Sequence, residues 1–381
     1  MTERIPLAEP SIGGNAATYL QECLETNFVS SVGPFVTRFE REFAAVVGAR
    51  FAVACASGTA AIHLALLALD VGMGDDVLVS TLTFVASVNP IAYVGAAPVV
   101  VDSETATYNL DPALVVNELD RRARLGLRQP AAIEVVHLVG HPADIAPIIE
   151  AGSRHGVPVI EDASEALGAT WTAGPYAGRH VGTLGRAGVF SFNGNKLITT
   201  GGGGMLITDD EALARRARHL STQARLPGLA YDHDEVGYNY RLTNTAAALG
   251  VAQLEELPRL LGARRAMAAR YDDALSGLPM LAAPKAPWAD PSYWLYTCRL
   301  DPSRTAVTRD ALIAGLARVG IEARPIWTPI HETRLYADAA RLGGEVASAI
   351  AATACSLPSS ASLTPALQER VINRLGELLL G

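Results

Sequence analysis

Between residues 51 and 161 the chain repeats one alternation. Short apolar runs at 51–55, 76–80, 98–101, 132–138 and 157–161 read as strands. Segments near 58–70, 85–94, 111–126 and 144–155, with apolar positions at helical spacing, separate them. Strands that are apolar on both faces and joined by helices build a mostly parallel sheet covered on both sides. The pattern changes after Asn239. Residues 243–275 are rich in Ala and Leu and predict one long connecting helix. Proline-rich linkers, a strand over 293–300 and helices near 308–319 and 364–380 follow. The chain thus reads as an α/β large domain over 1–250, including the N-terminal segment. A connecting helix and a small α+β domain would occupy 251–381.

Composition narrows the class. Of 381 residues, 49% are hydrophobic and 18% charged, which is the balance of a well-buried globular protein. A net charge of −8 argues against nucleic-acid binding by bulk electrostatics. It leaves room for small anions held by local donors. Cys23, Cys55, Cys298 and Cys355 form no CxxC pair and read as reduced and buried. The reading assigns no metal. With no apolar signal region at the start and no uncharged apolar span long enough for a bilayer, it predicts a cytoplasmic protein without membrane contact.

The basic residues are lopsided. Only two of the 31 are lysines, Lys196 and Lys285; the rest are arginine. Lys285 lies in Ala-Pro-Lys-Ala-Pro-Trp, an exposed linker where either cation would serve. Lys196 lies between two strand-like runs and just before the glycines at 201–204. What lysine does and arginine cannot is attack a carbonyl as a neutral amine and form a Schiff base. At an ordinary pKa of about 10.4, roughly one amine in a few thousand is neutral at pH 7, and desolvation raises that share.

Other features gather around that lysine. Ser57-Gly58-Thr59 ends a strand and opens a helix, where free N–H groups and the helix dipole suit a phosphate. A serine there is also an ordinary cap. Asp162 ends the strand at 157–161, and ligands of open α/β sheets bind beyond such ends. A cationic ring nitrogen about 4 Å from it would gain roughly 4 kcal/mol at an effective dielectric of 20. A helix cap is the alternative for Asp162 as well. Ser191 and Asn193 share one face of their strand and Phe190 and Phe192 the other, as a site wall backed by core would require. Phe84, just past a strand end, is placed either to stack on a planar ligand or to fill core. A Schiff-base lysine, a carboxylate, a phosphate cradle and a stacking ring together describe pyridoxal phosphate.

Phe-Ser-Phe-Asn-Gly-Asn-Lys, Glu-Asp-Ala-Ser-Glu-Ala-Leu-Gly, Ser-Gly-Thr-Ala-Ala-Ile-His-Leu-Ala-Leu and Gly-Tyr-Asn-Tyr-Arg-Leu-Thr-Asn carry a family resemblance. In order and spacing, over nearly the whole chain, the sequence resembles the DegT/DnrJ/EryC1/StrS sugar aminotransferases. The resemblance implies the aspartate-aminotransferase fold (type I) and a homodimer with active sites at the subunit interface. It implies that Lys196 holds the cofactor, Asp162 pairs with the pyridine nitrogen, Glu165 lies near the phenolic oxygen and Phe84 covers the ring. Gly58, Thr59 and Ser191 would hold the phosphate, with Asn193 beside them and Asn239 reaching over from the partner subunit. L-glutamate would donate the amine.

Residues 27–33 and 323–331 resemble the branch that aminates UDP- or GDP-linked 4-keto-6-deoxy hexoses, which places Ser31, Arg324 and His331 toward the substrate. Two segments depart from the family pattern. Glu165 stands where many members carry Gln, and residues 137–142 replace the more usual Leu-Tyr-Gly-Gln-Pro. His141 in that segment reads as a solvated loop histidine or a substrate contact. A keto-inositol aminotransferase and a pyridoxal-phosphate sugar dehydratase are the alternatives, although the dehydratases it resembles carry His in place of Lys196. A nicotinamide-dependent oxidoreductase would want GxGxxG after the first strand, and none is present.

Overall fold

A computed structural model describes residues 3–381. Two helices, α1 (Ala16–Glu25) and α2 (Pro34–Val47), precede the predicted alternation. Pro34 at its first turn starts α2, and Gly48 in the left-handed region (φ 81°) ends it. Then come β1 (Phe51–Cys55), α3 (Gly58–Ala68), β2 (Asp76–Ser80), α4 (Val85–Tyr93) and β3 (Ala97–Val101). The series continues through α5 (Pro112–Arg124), β4 (Ala132–Val136), α6 (Ala146–His155) and β5 (Val159–Asp162). Each predicted strand and helix of this region is present, with ends shifted by a few residues at most. After a short β6 (Thr170–Trp171), β7 (Ala187–Ser191) and β8 (Gly204–Thr208) flank the lysine loop, and α7 (Glu211–Ser221) follows.

The predicted connecting helix is two helices. α8 (Asn244–Glu255) stops at Glu256, and α9 (Leu257–Leu275) starts anew with Pro258 in its first turn. Proline has no N–H to continue the ladder, so the break falls at its only tolerated position. The remainder holds β9 (Met280–Leu281), β10 (Ala289–Asp290), β11 (Tyr296–Leu300), α10 (Arg309–Ala317), β12 (Arg324–Pro325) and β13 (Ala340–Leu342). The chain finishes with α11 (Glu345–Thr353), β14 (Ala354–Leu357) and α12 (Pro365–Leu380). The strand predicted from residue 293 begins only at Tyr296, because Tyr293 takes φ 51°. Likewise the strand predicted to 138 ends at Val136, where a tight turn follows with Val139 at φ 48°.

The central sheet has the order β1-β8-β7-β5-β4-β2-β3-β13, and β8 alone runs against its neighbours. A second sheet, β12-β14-β11-β9, carries α10 and α12. β13 comes from late in the chain yet pairs with β3, which fastens the C-terminal region to the large sheet. Behind the lysine loop Phe190 and Phe192 are fully buried against Phe39 and Phe43 of α2, with ring centroids 5.0–5.4 Å apart. That face is core, as the alternation of β7 predicts. All four cysteines are free and buried. Among the described residues no helix is long and apolar enough to cross a membrane.

Candidate active site

The C-terminal ends of β1, β5 and β7 open on a cavity of about 460 Å³. Its floor is the start of α3. Ser57 caps that helix by accepting from the Ala60 N–H at 3.0 Å, so its hydroxyl is committed to the cap. The N–H groups of Gly58 and Thr59 lie in the first turn, where no helical carbonyl can reach them. A Cβ on Gly58 would stand 2.9 Å from Ser191 Cβ and 3.1 Å from Ser164 Oγ. A Cβ on Gly204 would press within 2.4 Å of the Ser57 backbone. These glycines therefore keep open a concave anion cradle bordered by Ser191, into which a phosphate fits.

Asp162 faces the same cavity from the end of β5. Ser87 of α4 donates to its Oδ2 at 2.8 Å and the Ser164 N–H to its Oδ1 at 3.0 Å, while Thr83 pairs with Ser87 at 2.8 Å. The carboxylate is thus held at one orientation toward the cavity. Glu165, also buried, accepts from the Val139 N–H at 2.7 Å, and the unusual φ of Val139 aims that group. Lys196 Nζ lies 3.9 Å from Glu165 Oε1. Burial pushes the amine below its usual range, partly offset by Glu165 and Asp162. Burial raises Glu165, with Lys196 opposing. Both shifts favour the neutral amine that attack on a carbonyl needs.

Phe84 caps α4, is half exposed, and tilts against Trp327 with centroids 5.2 Å apart at the cavity mouth. Trp327 Nε1 is buried beside Glu165, without a hydrogen-bond partner of ordinary geometry. Asn193 lines the wall next to the lysine loop.

Four sequence candidates lie elsewhere. Asn239 is exposed on the outer segment after α7. Ser31 sits on the 27–33 loop, which Asn244 anchors through Phe28 O at 2.8 Å and the Phe35 N–H at 2.9 Å. His331 is wedged between Thr81 Oγ1 (2.7 Å) and Ser348 Oγ (3.4 Å) and does not line the cavity. Arg324 is tied to Glu322 at 3.0 Å, in a neighbouring hollow that shares Trp294 and Trp327 with the cavity. His141 corrects the loop reading. It is 2% exposed, its Nδ1 donates to Pro142 O at 2.7 Å and its Nε2 accepts from the Ala286 N–H at 3.0 Å. Burial holds it neutral, down to about 4. It is a structural bracket between two loops.

Sequence reasoning missed Ser87, Ser164, Trp294 and Glu134. Ser87 has a faint signal in Thr83-x-x-x-Ser87, one helical turn apart. Glu134 in β4 has no exposed surface, and neither carboxylate oxygen has a partner. Burial, and then the field of Asp162, raise its pKa well above the usual carboxyl range. The unfolded chain ionises near pH 4.3, so above that value stability falls by up to about 1.4 kcal/mol per pH unit until the folded pKa is reached. Glu134→Leu is therefore expected to melt higher than wild type, with a gap that widens as pH rises above about 5. A gap constant with pH would show that Glu134 finds a partner.

A parallel sheet with a phosphate cradle, a fixed acid and a desolvated lysine at its strand ends defines a pyridoxal-phosphate enzyme of the aspartate-aminotransferase fold. Comparison with known proteins narrows the class. Residues 10–376 match the model of the DegT/DnrJ/EryC1/StrS aminotransferase family. GDP-perosamine synthase of Caulobacter vibrioides is 41% identical over 379 residues, 99% of each chain. EpsN of Bacillus subtilis, whose name proposes a pyridoxal phosphate-dependent aminotransferase, is 41% identical over 98% of this chain and 96% of its own. The structure of DesV from S. venezuelae superposes with a TM-score of 0.85 at 33% identity, covering 95% of this chain and 94% of that one. The chain belongs to the DegT/DnrJ/EryC1/StrS aminotransferase family, and it is a pyridoxal-phosphate-dependent aminotransferase.

Proposed function

We propose that the chain moves the amino group of L-glutamate onto the ketone of a nucleotide-linked sugar, a GDP-linked 4-keto-6-deoxy hexose. The full-length similarity to GDP-perosamine synthase carries this choice of substrate. Pyridoxal phosphate, when bound, would supply a carbonyl within the reach of the Lys196 amine and a ring that draws electrons from the reacting carbon. The N–H groups of Gly58 and Thr59 and the Ser191 hydroxyl receive the phosphate, with Asn193 at the wall. Asp162, fixed by Ser87 and Ser164, would keep the ring nitrogen protonated. Phe84 and Glu165 line the cavity, where Phe84 would cover the ring and Glu165 would border its phenolic oxygen. The Lys196 amine would serve as the general base and acid that moves a proton at the reacting carbon. Asn239 completes the phosphate site of the opposite subunit in a homodimer, and Ser31 and Arg324 border the sugar nucleotide from loops outside the cavity.

The test is to incubate the protein with pyridoxal phosphate, L-glutamate and a GDP-linked 4-keto-6-deoxy hexose, and to measure 2-oxoglutarate and the aminated sugar. Both products in equal amounts are expected. A keto-inositol consumed in place of the sugar nucleotide would move the assignment to cyclitols. No 2-oxoglutarate from L-glutamate would remove the donor.

A further inference from the structure

Trp294 has no role in the reading above, yet its indole lies directly against the amine. Lys196 Nζ lies 3.6 Å from the ring centroid, with Glu165 Oε1 at 3.9 Å. The indole is fixed on several sides. Its Nε1 donates to the carbonyl of Asn195, the residue before the lysine, at 2.7 Å. Its own backbone carbonyl accepts from Arg264 of α9 at 2.7 Å. Arg264 is 1% exposed and donates from the same nitrogen to Ser359 O, while its Nε is buried without a partner. A buried guanidinium spent on two carbonyls is a strong clamp, because moving either carbonyl would strand the charge.

We propose that the face of Trp294 and the carboxylate of Glu165 form a berth that receives Lys196 Nζ when the lysine is free of cofactor and stabilises its protonated form, so that the amine, having taken a proton as base, holds it until it is returned. This rests on the reading of Lys196 as the cofactor lysine. An indole face attracts a cation most strongly when water is excluded. Burial is the largest influence and leaves the amine below its usual range, while Glu165, Asp162 and the indole face favour its charged form. The berth keeps the released lysine within reach of the cavity and loaded with the proton it must return. It also sets the pH at which the amine becomes a nucleophile again. Trp294 touches the reacting atom itself, and Arg264 acts through it as a positioning residue.

The scarcity of lysine makes the test clean. Cofactor-free protein is acylated with an amine reagent across a pH series, and labelling at Lys196 and at exposed Lys285 is read separately by mass. The pH of half-labelling is taken as the midpoint of labelling rate against pH, since a smaller side chain speeds labelling at every pH and leaves that midpoint in place. Trp294→Met, which fills the space without a π face, is expected to lower that pH for Lys196 by about one unit. Trp294→Phe, with a weaker face, should give a smaller shift in the same direction, and Lys285 should not move in either. If Trp294→Met does not fold, the Phe variant decides alone. An unchanged or raised half-labelling pH at Lys196 overturns the berth. Borohydride trapping of the wild-type holoenzyme separates the two claims. Cofactor fixed on Lys196 without a labelling shift sinks the berth only, and cofactor fixed elsewhere sinks the reading beneath it.

Discussion

Lys196→Arg is expected to fold, keep its charge and lose turnover by about 10⁴-fold or more, since removing general acid–base assistance alone costs 10²–10⁴. Arginine suits the position sterically and electrostatically: a guanidinium can stack on Trp294 and pair with Glu165 as the ammonium does. What it cannot do is lose its proton and attack a carbonyl. The substitution therefore separates charge from nucleophilicity. Circular dichroism and melting should match wild type closely, while 2-oxoglutarate production from L-glutamate falls to background. Borohydride should fix the cofactor to wild-type protein at Lys196 and to the variant nowhere, including Lys285, which is exposed on the linker before β10. Turnover near wild type in the arginine variant would refute covalent catalysis by this residue.

How much of this site was legible in the sequence depended on how local each signal is. The strands beneath the cavity are apolar on both faces, so 51–55, 76–80 and 132–138 stand out without knowledge of the fold. The Ser191/Asn193 and Phe190/Phe192 division follows from the two-residue period of one strand. The long helix was misread because its Ala and Leu content outweighed Pro258, although proline in a first turn is an ordinary way to begin a new helix. Trp294 was invisible for a different reason. It meets Asn195 across 99 residues of sequence, and nothing beside it distinguishes a tryptophan over a lysine from one in a core. The same holds for Ser87, which reaches Asp162 across 75 residues. Glu134 conflicts outright with its surroundings. An acid at the centre of a fully buried strand is the kind of local contradiction that sequence patterning averages away.

The second large effect concerns assembly. Asn239 lies outside the cavity of its own chain, on a segment pinned where it leaves the body. Tyr238 and Tyr240 stack at 5.1 Å, pack on His63 of α3, and bond to the carbonyls of Leu220 and Ser221. The loop before it carries apolar side chains into the open, with Leu229, Tyr231 and Val236 at 101%, 84% and 79% exposure. Exposed apolar groups on a projecting loop are what a subunit contact would cover. If the partner subunit's Asn239 completes each phosphate site, two inactive variants should complement. Lys196→Ala removes the amine, and Asn239→Asp sets a carboxylate against the phosphate dianion, a like-charge contact that weakens cofactor binding. In a mixed dimer one site would join an intact lysine to an intact asparagine, and the other site would carry both lesions. Random reassembly makes about half the dimers mixed, so activity should return to roughly a quarter of wild type. The variants are refolded together, mixed dimers are verified by mass, and the product is assayed. Mixed dimers without activity would place Asn239 in the site of its own chain, and an Asn239→Asp variant active by itself would place it in none.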